Sequence, residues 1–128
     1  MQYFQIPLKP VPKERPRMLK NGRVYTPKRT KQAEDSIRHY LRNNGVQKCS
    51  GAVAVKIVFE FKRPKSNNAE HHTKRPDLDN LVKLVLDGIQ DEHGAIADDK
   101  DIIHLQASKQ YGTIDQIKLW IKEVEETN

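Results

Sequence analysis

Four aspartates and one lysine in the stretch from Lys74 to Asp101, KRPDLDNLVKLVLDGIQDEHGAIADDKD, carry the chemistry that this sequence offers. Asp77 and Asp79 flank Leu78, Lys83 follows four residues after Asp79, and Asp98 and Asp99 form a second acidic pair. Carboxylates gathered at one place repel one another, so a shared site needs a cation to join them. An all-oxygen donor set selects a hard divalent ion. Mg²⁺ takes one or two protein carboxylates and fills its remaining positions with water and phosphate oxygens. Asp77, Asp79 and Asp99, with Asp98 beside them, are therefore the candidate ligands. The ammonium of Lys83 is placed to meet a scissile phosphate and the charge developing on it. Each residue also has a plainer reading. Aspartate at a helix start is commonly a cap, Asp79–Lys83 and Lys83–Asp87 are surface pairs worth about 0.3–0.5 kcal/mol each, and Asp98-Asp99 alone reads as a solvated turn.

The elements that must position these groups follow from periodicity. Leu78, Leu81, Val82, Val85, Leu86 and Ile89 fall at helical spacing, so a helix is predicted from about Leu78 to Ile89 or Gln90. Asp77 and Asp79 then sit at its mouth, where free N–H groups and the helix dipole favour negative charge. Asp79, Lys83 and Asp87 share a flank away from the apolar stripe. Leu84 falls on the polar side and is a candidate dimer contact. The two acidic pairs are expected to converge at the ends of this helix. Upstream, residues 2–8 alternate as a strand, and Thr26 followed by Pro27 reads as the N-cap and first residue of a helix running to about Asn43. Residues 53–61, VAVKIVFEF, form the clearest strand. Residues 62–76 form a polar, basic loop, and Ile102–Ala107 and Gln116–Val124 are two final strands. The order predicts one α/β (α+β) domain over residues 1–128, a small mixed β-sheet of about four strands packed with two main helices.

Charge is divided along the chain. Residues 1–75 hold 18 Lys and Arg against 5 Asp and Glu, whereas residues 76–128 hold 5 against 12. The basic half suits a polyanion, because each phosphate neutralised releases a counterion. Its candidate DNA contacts are Lys13, Arg15, Arg17 and Arg23 in the proline-rich arm, Lys28 and Arg29 at the first helix, and Lys62, Arg63, Lys65, Lys74 and Arg75 around the loop that leads to Asp77. An acidic cluster in a basic chain points to phosphate chemistry on nucleic acid. The plainer reading of the basic half is an ordinary solvated surface.

Taken together, R-x-D-L-D-N-L-x-K, carried by Arg75, Asp77, Leu78, Asp79, Asn80, Leu81 and Lys83, resembles the RusA family of Holliday junction resolvases, as does the Asp98-Asp99 step that follows. Asp87 within the helix and the Tyr25-Thr26-Pro27 helix entry are similar too. The resemblance implies a homodimeric endonuclease, dependent on Mg²⁺ with Mn²⁺ as a substitute, that cuts four-way DNA junctions by paired symmetric nicks in recombination and repair. It implies essential aspartates at Asp77, Asp79 and Asp99, a lysine needed for cleavage at Lys83, and a neighbouring acid of less certain role at Asp98. The family is often phage-borne.

Other classes fit less well. A single cysteine builds no disulfide framework, no apolar run is long enough to cross a membrane, and the N-terminus lacks a signal core, so a cytoplasmic setting is expected. No G-x-x-x-x-G-K-[ST] loop occurs, so no nucleotide cofactor is expected, and the histidines lack zinc-site spacing. The Pro-Asp…Lys string is also reminiscent of restriction-type nucleases, but there the second acid and the lysine sit two apart on a strand. The alternative from another class is a non-catalytic, basic DNA- or junction-binding protein.

Overall fold

The computed structural model describes residues 1–125. Its main strands are β1 (Gln2–Ile6), β4 (Val53–Lys62), β5 (Ile102–Gly112) and β6 (Gln116–Glu123). Short strands β2 (Arg17–Met18) and β3 (Val24–Tyr25) form a ribbon in the arm, and the helices are α1 (Lys28–Asn43) and α2 (Leu78–Ile89). The large sheet has the order β1-β6-β4-β5. β6 pairs antiparallel with β1 and β4, bringing Leu119 opposite Phe4 and Ile57, while β5 pairs parallel with β4. The fold is therefore α+β, with two helices and a mixed four-stranded sheet, as the element order predicts.

One face of the sheet carries the core. Phe4, Ile6, Val53, Val55, Ile57, Phe59, Ile117, Leu119 and Ile121 alternate along their strands and are buried against Ala33, Ile37 and Leu41 of α1 and Leu81, Leu84, Val85 and Ile89 of α2. Burial of each such side chain contributes about 1.5–3 kcal/mol. The other face is mixed: it carries Ala54, Lys56, Val58 and Lys118 together with Tyr3 and Trp120, whose rings meet at 4.7 Å with Lys56 over the indole.

Three expectations change, two of boundary and one of burial. α1 starts at Lys28, with Pro27 in the cap position and no side-chain cap, so Thr26 does not cap it. Thr30 is buried instead and accepts a hydrogen bond from the Glu14 N–H. β5 runs on to Gly112, five residues beyond the expected end, because pairing with β4 continues through a sequence of weak apolar alternation. Leu84 is fully buried rather than a surface contact. α2 packs against α1 as well as the sheet, and this second contact widens the buried stripe. Gly88 permits that approach, since a Cβ there would lie 3.2 Å from the Ile37 side chain.

Candidate active site

The path of the chain through α2 governs the site. β4 and β5 are parallel, so the intervening helix must run back along the sheet. Its N-terminus lies beside the C-terminal half of β5. There Lys109 of β5 donates from Nζ to the carbonyl oxygens of Lys74 (2.7 Å) and Pro76 (2.9 Å), the two residues that straddle Arg75 just before Asp77. A main-chain bond from the Lys13 N–H to the Asn80 carbonyl (2.9 Å) ties the proline-rich arm to the first turn of the helix.

Asp77 occupies the N-cap position of α2. Its carbonyl accepts from the Leu81 N–H (3.2 Å), yet its carboxylate makes no capping bond. Asp79 lies in the first turn, and both residues are exposed, as is Lys83. Neither carboxylate forms a hydrogen bond or ion pair with another side chain among the described residues. Two negative groups are thus presented, unspent, at the positive end of a helix dipole.

Asp98 and Asp99 stand at the other end of α2, where a single 3-10 turn, Asp99–Asp101, leads into β5. Asp98 Oδ1 accepts from the Lys100 N–H (2.9 Å), which, with a hydrogen bond to Asp99, holds its carboxyl below the usual range. Sharing that hydrogen bond pushes Asp99 up, and the charges of Asp98 and Asp87 act in the same direction. Asp87 also receives Lys13, whose ammonium lies between Asp87 (3.1 Å) and Glu34. Burial opposes the charge on Lys13, but the hydrogen bonds to Glu34 and Asp87 outweigh it and raise its pKa.

The expected convergence of the two acidic pairs does not occur within one chain. They are separated by α2, 12 residues long, or roughly 18 Å at 1.5 Å per residue. Among the described residues no group of three or more His, Cys, Asp and Glu side chains comes together to hold a metal. The donor chemistry suits a hard divalent ion, while a single chain supplies it in two halves.

The basic candidates divide by environment. Lys28, Arg29, Lys62, Lys65, Lys74 and Arg75 are exposed, as are Arg15 and Arg23 in the arm. Arg17 lies within 3.5 Å of Glu14. Lys13 is committed to two carboxylates and faces inward. Arg63 stacks over Tyr111 at 4.7 Å and donates to the carbonyls of Asn67 and Ala69, so it closes the loop on itself. Beneath that loop His72 is buried between Phe61 and Tyr111, at centroid distances of 4.5 and 4.6 Å, with Nδ1 lacking a hydrogen-bond partner. Burial, assisted by the charge of Lys109, lowers its pKa. A shallow basic pocket opens here, lined in part by Lys9, Lys62, Lys74, Arg75 and Asn68.

The family model for endodeoxyribonuclease RusA matches residues 7–122. The chain belongs to the RusA endodeoxyribonuclease family. No curated protein matches the sequence. Membership makes this RusA-family chain an endodeoxyribonuclease of the class that resolves Holliday junctions, acting on branched DNA, and such nucleases generally depend on a divalent metal. The match spans both acidic pairs and the helix between them. Lys109, His72 and the inward role of Lys13 had no signal in the sequence. Each depends on contacts between segments distant along the chain.

Proposed function

We propose that this RusA-family endonuclease resolves four-way DNA junctions as a homodimer, by paired symmetric nicks, with Mg²⁺ as its cofactor and Mn²⁺ able to replace it, in DNA recombination and repair. The observation that carries the reading is the pair Asp77 and Asp79, exposed and without side-chain partners at the open start of α2 in a chain of this family. A cap aspartate that makes no cap bond is available for another ligand. Asp77 and Asp79, with Asp99 and Asp98 able to join them only from the other copy of the homodimer, would hold the ion, which when bound would neutralise phosphate charge and lower the pKa of a coordinated water.

The chain's own residues supply the rest. Lys83, one turn beyond Asp79, extends an ammonium toward the phosphate that the acidic pair addresses. Lys62, Lys74 and Arg75, which line one shallow basic pocket, and Lys65 on the same exposed loop would hold the DNA arms by backbone contacts, which read shape more than sequence. Two-fold symmetry of a homodimer matches the approximate symmetry of a four-way junction and places two sites on opposing strands.

The test is cleavage of a synthetic four-way junction beside a linear duplex of the same sequence. Cutting of the junction alone, in Mg²⁺ and not in EDTA, supports the reading. Tight junction binding with no scission under any divalent ion would instead make the chain a non-catalytic junction binder.

A further inference from the structure

The sheet face turned away from both helices carries a second cluster of side chains. Tyr3 on β1, Trp120 on β6, Lys56 on β4 and Gln106 on β5 stand in one row across the strands, and Lys122, Ala54 and His104 form the next. Ala54 is small, so a hollow of about 480 Å³ opens above it, lined in part by Lys56, His104, Gln106, Trp120 and Lys122. That volume lies within the range of small-ligand sites. Tyr3, stacked on Trp120, is 46% exposed, and the Lys56 ammonium lies 5.0 Å from the indole centroid. No Asp or Glu lines the hollow among the described residues. Glu60, farther along the same face, is buried and held by Gln116, with Lys118 at 4.0 Å.

We infer that this face is a second nucleic-acid site, which binds an unpaired stretch of DNA by stacking a base on Trp120 and Tyr3 and meeting the flanking phosphates with Lys56, Lys118 and Lys122. It lies across the sheet from α2, and so is separate from Asp77 and Asp79.

The chemistry selects the occupant. Aromatic rings on adjacent strands of a sheet form a platform for bases, and stacking tolerates any sequence because every base has a π-face. In a duplex those faces are covered by the neighbouring pairs, so only an unpaired base can enter. Lys118, Trp120 and Lys122 alternate along β6 on one face, with about 7 Å between successive side chains. Cation, ring and cation thus repeat the alternation of phosphate and base along a single strand. Lys56 marks the stacking position, since a positive group already lies over the indole, and its flexible stem lets the ammonium swing to a phosphate. Gln106 and His104 at the rim offer donors and acceptors to the edges of a base. A nuclease of branched DNA meets such strands wherever an arm is gapped or frayed.

Trp120 is the single tryptophan of the chain, so its emission reports the site directly. The full chain is titrated in EDTA with an oligothymidylate about eight nucleotides long, within the span of single-strand sites. An abasic oligomer of the same length and an oligoglutamate peptide are titrated beside it. The expected result is saturable quenching by the oligothymidylate, with the abasic oligomer at least about tenfold weaker. Ala54→Leu fills the hollow and leaves the indole in place as reporter, and it should weaken oligothymidylate binding by about tenfold. Trp120→Ala, read by the anisotropy of a labelled strand, should do the same. Both variants should bind a fully paired four-way junction within about twofold of wild type, which shows that they fold and that the two sites are distinct. Unchanged emission with oligothymidylate, equal affinity for the abasic oligomer, or saturation by the peptide alone would overturn the inference. So would an equal loss of junction affinity in both variants.

Discussion

Lys109 donates a hydrogen bond to the carbonyl oxygen of Pro76 at 2.9 Å, and so pins the residue immediately before Asp77 to strand β5. A second bond from the same ammonium to the Lys74 carbonyl fixes the loop on the other side of Arg75. The acidic pair is thereby carried on the sheet rather than on a free loop.

Replacing this lysine by methionine keeps the stem and removes the donors. We expect Lys109→Met to lower the single-turnover cleavage rate by about tenfold, since a misplaced reacting group costs rate steeply. Junction affinity should stay within about twofold, because most of the phosphate contacts are untouched. Filter binding and quenched-flow kinetics on one junction separate the two effects.

Lys13 should behave as a structural residue. Its side chain is 17% exposed and serves Glu34 and Asp87 together. Lys13→Ala leaves two carboxylates unpaired at the α1–α2 contact. Partial exposure discounts the full cost of breaking a buried pair, so a loss of about 1–3 kcal/mol is expected in urea unfolding. The salt dependence of junction binding should be unchanged by this variant, whereas Lys65→Ala should reduce its slope by about one unit.

His72 gives the fold a sensitivity to acid. Its pKa is lowered on folding by burial and then by Lys109, so the neutral form is favoured in the native state. The unfolded chain binds the proton more readily. Stability is therefore fully present above the ordinary histidine range and falls as the pH drops below about 6.5 toward the folded pKa. Thermal unfolding between pH 7 and pH 5 should show this decline, and His72→Phe, which keeps an aromatic between Phe61 and Tyr111, should flatten it.

Much of this architecture was legible in the sequence, and the gaps have physical causes. β4 and α2 announced themselves because each buries one face, and the period of that face survives in the chain. The sequence shows β5 only as far as Ala107, because SKQYG lies on an edge where little is buried and little alternation is needed. A helical wheel puts Leu84 outside because it assumes one contact surface, whereas α2 has two. The acidic residues were all visible, but their separation was not. It follows from the parallel pairing of β4 and β5, which sends α2 back along the sheet and leaves its ends apart.

The most direct measurement of the central claim compares binding and scission of one four-way junction by wild-type and Asp77→Asn chains in Mg²⁺. The account predicts a dissociation constant within about twofold of wild type and a cleavage rate lower by at least about a hundredfold. Cleavage by Asp77→Asn at the wild-type rate would contradict it.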